Sequence, residues 1–153
     1  IYTGEDTLSL HDALPISYEN SVSINKGVAG SYLRWFQYAE ALIQLPTRKA
    51  DAHFAFQKAR DLIELRLRRS TDDPILLSIS AVIEARLERV ELAHEQIRKT
   101  LDLPRLTGES YFWLALSYQI LGETEKAVAA LARSRQLNFD PRIIASYPDL
   151  KSL

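Results

Sequence analysis

Histidine is the first residue type to test for proton transfer or metal binding, and the chain carries His11, His53 and His94. His94-Glu95 starts like the helix of a zinc protease, but the second histidine of that motif is missing. His53 and His94 fall on different expected helices, with no carboxylate at metal-ligand spacing, so each reads as a structural or surface residue. Gly27-Val28-Ala29-Gly30 is too short for a phosphate-binding loop and lacks its Lys-Ser/Thr ending. The serines sit at expected caps and loops, where no Ser/His/Asp arrangement can be assembled. Cysteine is absent, which removes disulfides, thiolate metal sites and a cysteine nucleophile. The expectation is a protein that is not an enzyme, with no catalytic residue, no metal site and no cofactor.

Charged residues are the next candidates. Glu84, Glu88, Glu91 and Glu95 form an acidic stripe interleaved with Arg86, Arg89 and Arg98, which reads as a solvated helix face with i,i+4 pairs. Arg60, Arg66, Arg68 and Arg69 crowd the end of one long helix, where they complement its C-terminal dipole. The formal charge is −1, so the basic footprint of a nucleic-acid partner is missing. No apolar run reaches the roughly 20 residues of a membrane span, and the first residues lack the basic start and apolar stretch of a secretory leader. A cytoplasmic location is expected.

The first sixteen residues call for separate treatment. The chain has no Met and begins with Ile1. Ile1 to Thr3 and Thr7 to Ile16 resemble the translation of a short-read sequencing adapter, with Gly4, Glu5 and Asp6 standing where its variable index falls. Residues 1–16 are therefore expected to be adapter-derived, with the native sequence starting near Ser17. Setting aside Glu5, Asp6 and Asp12 lowers the acids from 20 to 17 against 19 bases, so the remainder carries +2. Residues 17–31 are polar, contain Gly27 and Gly30, and read as a linker.

From Tyr32 onward the apolar spacing is helical, and the composition, rich in Ala, Leu, Glu, Arg and Gln, agrees. Sliding the chain by 34 residues places Leu77 on Tyr111, Ala81 on Ala115, Leu87 on Leu121, Ala93 on Ala127, Ile97 on Leu131, Thr100 on Ser134 and Leu103 on Leu137. Large positions meet large ones and small meet small, which predicts stacked pairs of antiparallel helices. The breaks agree. Asp73-Pro74 is an N-cap followed by proline at the first helical position. Pro104 and Gly108 separate two pairs, Gly122 suits a helix end that needs positive φ, and Asp140-Pro141 opens a last short helix. The expected elements are pairs at about 32–70, 74–103 and 108–137, with a cap at 141–152, all within one domain, 32–153.

Tyr111, Leu114, Ala115, Tyr118, Gly122, Ala127, Leu131, Ser134 and Leu137 resemble the signature of the tetratricopeptide repeat family. Leu77, Ala81, Ala93, Ile97 and Thr100 match it in the preceding pair, although Glu84 and Glu88 stand where the family has an aromatic residue and glycine. Trp35, Ala39, Leu42, Ala52, Phe56 and Ala59 carry the first pair. Its second helix is expected to run to about Arg69, since Ala52 and Ala93 are 41 residues apart, two helical turns more than the later period. The resemblance implies an all-α solenoid of about three antiparallel helix pairs with a C-terminal capping helix. Small residues such as Ala127 would let paired helices approach, and bulky ones such as Tyr111 would fill the gap between pairs.

The family binds proteins in a groove lined by the first helix of each pair. The resemblance therefore implies a protein-binding groove at Phe36, Glu40, Ile75, Ile79, Val82, Phe112, Trp113, Leu116 and Gln119, with Leu33 and Ser78 beside them. The Lys, Asn and Arg residues with which some members clamp a C-terminal carboxylate are absent, so an apolar protein or peptide segment suits this groove better. The function implied is a protein–protein interaction module, part of a larger protein. One alternative is the C-terminal sensory or regulatory repeat region of a bacterial serine/threonine kinase, cyclase or winged-helix transcription regulator, because Phe139-Asp140-Pro141 followed by Ile143-Ile144 and Pro148-Asp149-Leu150 resembles the ends of such regions. A second is a stand-alone assembly chaperone. Self-association through an exposed N-terminal face is a further expectation.

Overall fold

A computed structural model describes residues 31–153. The adapter-like stretch 1–16, and the expected linker up to Gly30, lie outside the described residues. Among the described residues every regular element is helical: α1 (Tyr32–Ile43), a 3-10 turn (Pro46–Arg48), α2 (Lys49–Leu67), α3 (Pro74–Arg86), α4 (Val90–Leu101), α5 (Gly108–Ile120), α6 (Thr124–Gln136), α7 (Pro141–Ser146) and a second 3-10 turn (Pro148–Leu150). The chain falls into two compact units, and the boundary between Ile63 and Glu64 lies inside α2.

In the first unit, the Ser31 hydroxyl accepts from the backbone N–H of Arg34 and caps α1. Leu45, held extended by the proline after it, leads into the 3-10 turn, where Arg48 Nε donates to Asp51 Oδ2 at 2.8 Å. Phe36 meets Phe56 at 6.2 Å between ring centres, and Trp35 meets Phe54 edge-on, also at 6.2 Å. Ala39, Ala52, Ala55 and Ala59 are buried, so small side chains alternate with these rings. α2 stops at Leu67 rather than Arg69. Its end is finished by turns in which Arg68 donates to the Glu64 carbonyl, and Arg69 and Ser70 donate to that of Arg66.

The second unit contains two consecutive helix hairpins, α3–α4 and α5–α6, and α3 also packs on α5. Adding 34 to the bounds of α3 reproduces those of α5, and the same shift carries α4 onto α6 to within one residue. The turns correspond as well. After α3, the N–H of Glu88 donates to Ala85 O and that of Arg89 to Glu84 O. After α5, Gly122 donates to Gln119 O and Glu123 to Tyr118 O. Each pair of bonds is a Schellman closure, which needs one left-handed residue. Glu88 has φ 60° and Gly122 has φ 80°. Asn138, with φ 62°, ends α6 in the same way, donating to Arg135 O while Phe139 donates to Ser134 O.

Helix starts follow from their caps. Asp73 Oδ1 accepts from the N–H groups of Ile75 and Leu76, and Thr107 Oγ1 accepts from Ser110 N–H. On α4 the buried residues are Ala93, Ile97 and Thr100; on α6 they are Ala127, Ala130, Leu131 and Ser134. Both sets follow the i, i+3, i+4, i+7 stripe of a helix with one covered face. α3 and α5 are different. Every residue from Leu76 to Ala85 is buried, and so is every residue from Phe112 to Ser117, which makes these two helices the core.

The chain after α6 folds back onto α5. Asp140 caps α7 through the Arg142 N–H, and the second 3-10 turn packs on α5. In this segment Ile144 and Leu150 are the buried side chains, each worth roughly 1.5–3 kcal/mol of apolar burial.

Candidate interaction surface

The structure places most of the residues expected to line an open groove in the core instead. In the first unit Phe36 is fully buried and Glu40 is 9% exposed. In the second, Ile79, Val82, Phe112 and Leu116 are buried to 2% exposure or less, and Trp113 to 7%. Ile75 and Gln119 keep partial access to solvent, and Leu33 is exposed. Of the expected groove residues, Ile75 and Gln119 are therefore the ones that remain partly accessible.

At Phe112 and Trp113 the covering groups are the chain's own. The Phe139 ring stacks on Phe112 at 4.9 Å. Tyr147 stands edge-on to both Phe112, at 5.2 Å, and Trp113, at 5.8 Å. Such offset and edge-on pairs set the partially negative ring face against the positive ring edge. Tyr147 and Leu150 belong to the stretch that the sequence marked as a C-terminal cap.

Polar groups join the same region. Arg86 Nη1 donates to Asp149 Oδ2 at 2.8 Å, across 63 residues of sequence. The arginine side chain is 8% exposed and the aspartate 21%, so water screens this pair less than it screens a surface pair. Glu84 also departs from expectation. It is buried, not part of a solvated acidic stripe, and lies 3.7 Å from Arg89. The stripe is interrupted because α3 ends at Arg86 and α4 begins at Val90, which leaves Glu84 on a different helix from Glu91 and Glu95. Buried Ser78 and Ser117 donate to carbonyls of their own helices, Ile75 O and Trp113 O, so their hydroxyls are satisfied locally. Gln119 Oε1 is itself buried and has no hydrogen-bond partner among the described residues.

A second surface lies over α4, α5 and α6. His94 Nε2 lies 3.1 Å from Glu123 Oε1, and Lys126 Nζ donates to the other oxygen at 3.3 Å. Burial opposes the Glu123 charge, but the hydrogen bonds and charges of His94 and Lys126 outweigh it and hold the carboxyl below its ordinary pKa. Burial raises the Tyr118 phenol, Lys126 opposes that shift, and Glu123 adds to it. Lys126 also sits 5.6 Å over the Tyr118 ring, and Arg133 5.8 Å over that of Tyr111. Beside Tyr118 and Lys126 is an open, mainly apolar hollow of about 250 Å³, lined also by Leu101, Tyr111, Leu114, Ala129 and Ala130. Sequence spacing did not bring His94 and Glu123 together, because they lie on neighbouring hairpins.

Elsewhere His53 is exposed. Arg66 lies in the last turn of α2, with Arg68 and Arg69 just beyond it. No group of three or more His, Asp or Glu able to hold a metal ion occurs among the described residues, and no helix there is long and apolar enough to cross a membrane. No family model, curated protein or solved structure matches this chain.

Proposed function

We propose that this chain is a protein-interaction module built from helix pairs of the tetratricopeptide type, taking a peptide segment of a partner protein against the α3–α5 side of its second unit. The observation that carries this reading is the 34-residue correspondence of α3–α4 with α5–α6, in helix bounds and in the hydrogen bonds of both turns. A unit of that length repeated in tandem buries its apolar face on its neighbours. Ile75 and Gln119 are the expected groove positions that stay partly accessible, one apolar and one polar.

The test is selection of a displayed random peptide library on the purified full chain, followed by affinity measurements. Peptides of convergent sequence are expected, and Ile75→Asp or Gln119→Ala should weaken them about tenfold, near 1.4 kcal/mol. Failure to enrich any sequence, or binding indifferent to both substitutions, would sink the proposal.

A further inference from the structure

We propose that Tyr147-Pro148-Asp149-Leu150 is a built-in ligand of the α5 face. The site it occupies recognises an aromatic–proline–acid–leucine segment, and a partner bearing such a segment binds by displacing the chain's own copy. This deepens, and rests on, the interaction-module reading.

Three contacts define the recognition. The Tyr147 ring sits edge-on to Phe112 and Trp113, the Asp149 carboxylate accepts from Arg86 at 2.8 Å, and the Leu150 side chain is buried. All three come from four consecutive residues, so a short linear peptide contains everything the site reads. The segment also holds its own shape. Tyr147 is extended, and Leu150 and Lys151 donate to the carbonyls of Tyr147 and Pro148. A segment closed by its own turn loses less conformational freedom on docking.

The attachment is also light. Beyond Asp140 only Ile144 and Leu150 are buried, while Arg142, Ile143, Ala145, Ser146, Pro148, Lys151 and Ser152 are exposed. An open cavity of about 440 Å³ is lined by Leu150, Lys151 and Leu153 together with Arg135, Pro141, Ile144 and Ala145, so the segment borders open space. By contrast, α5 beneath is held by its packing on both α3 and α6. A lightly attached segment over a rigid face opens locally without global unfolding.

The test uses a labelled peptide of residues 140–153 and the full chain in three forms: unchanged, Tyr147→Ala/Asp149→Ala, and that pair with Arg86→Glu. Weak binding to the unchanged chain is expected, about tenfold tighter binding to the doubly substituted chain, and loss of binding with Arg86→Glu. A peptide with lysine at the Asp149 position should restore binding to the Arg86→Glu form. A doubly substituted chain that keeps its helical circular dichroism but does not bind would overturn the proposal, and so would one that unfolds, since the segment would then be indispensable to the fold. Hydrogen exchange on the unchanged chain is the second measurement. The Leu150 and Lys151 amides should exchange about a hundredfold faster than those of Phe112 to Ser117; equal protection would refute displacement. A chain that binds library-selected peptides but not this one refutes the tail ligand alone, whereas binding neither refutes the module reading too.

Discussion

Glu88 and Gly122 hold the same place in successive helix hairpins, 34 residues apart, and both turn through left-handed backbone, at φ 60° and φ 80°. Each closes its helix with the same two hydrogen bonds. Only one of them is the residue type that adopts this conformation without strain, because a Cβ in left-handed backbone meets the following carbonyl at a cost of roughly 1–2 kcal/mol.

Glu88→Gly should therefore stabilise the chain. The relief of strain is partly offset by about 0.4–1 kcal/mol of added freedom in the unfolded chain, leaving a gain of about 0.5–1 kcal/mol. Gly122→Ala should lose a similar amount. Nothing lies within 4 Å of a Cβ at that position, so the loss would be conformational and not a clash. Urea titration of both variants checks the opposite signs; a loss on Glu88→Gly would show that the glutamate side chain contributes more than its strain.

Gly108 is needed for space. An added Cβ would lie 3.1 Å from Phe139 Cβ and from the Ser134 carbonyl, and 3.2 Å from the Leu137 carbonyl. Beside it, buried Ser134 Oγ donates to the Gly108 carbonyl at 2.7 Å, tying the start of α5 to the end of α6. Two of the three crowding atoms are backbone, so they yield less readily than a side chain. Gly108→Ala should destabilise by about 1–3 kcal/mol, read as a lower melting temperature, and an unchanged melt would mean that the α6 end moves freely.

Ala127 has no solvent exposure and lies where α6 faces α5. Ala127→Leu should overpack that contact and destabilise by about 1–3 kcal/mol. Ala129 is exposed on the same helix, so Ala129→Leu is the control and should change stability by no more than about 0.5 kcal/mol. Equal melting of the two variants would contradict the assigned face.

The Glu123 cluster predicts a pH dependence. Its carboxyl titrates below the ordinary range in the folded chain, so the folded state holds fewer protons there than the unfolded one. Its contribution is complete above the ordinary glutamate pKa of about 4.3 and is lost as the pH falls through the lowered folded value. Glu123→Gln should reduce stability by about 0.2–1 kcal/mol at pH 7, with the difference closing at acid pH. Denaturation curves across pH 2 to 7, roughly the span over which such a carboxyl titrates, check this; a difference that persists at the acid end would point to packing rather than charge.

What was legible in the sequence is local. Asp73-Pro74 and Asp140-Pro141 mark helix starts because a capping carboxylate and a fixed proline φ act within one turn. Gly122 marks an end for the same reason, and the 34-residue spacing of small and bulky residues displays the repeated hairpin. Glu88 shows the limit of such local signals, since the repeat imposes left-handed backbone on a residue whose own preference opposes it. Whether Phe112 and Trp113 line an open groove or lie under Tyr147 depends on a contact across more than thirty residues, and Arg86 meets Asp149 across 63. His94 likewise finds Glu123 only when two hairpins stack. An apolar side chain is equally suited to a core and to a partner's surface. The sequence by itself therefore determined the capped helix starts and the repeat of the hairpin. Only the tertiary structure decided which apolar residues are covered, because burial is set by whichever distant segment arrives.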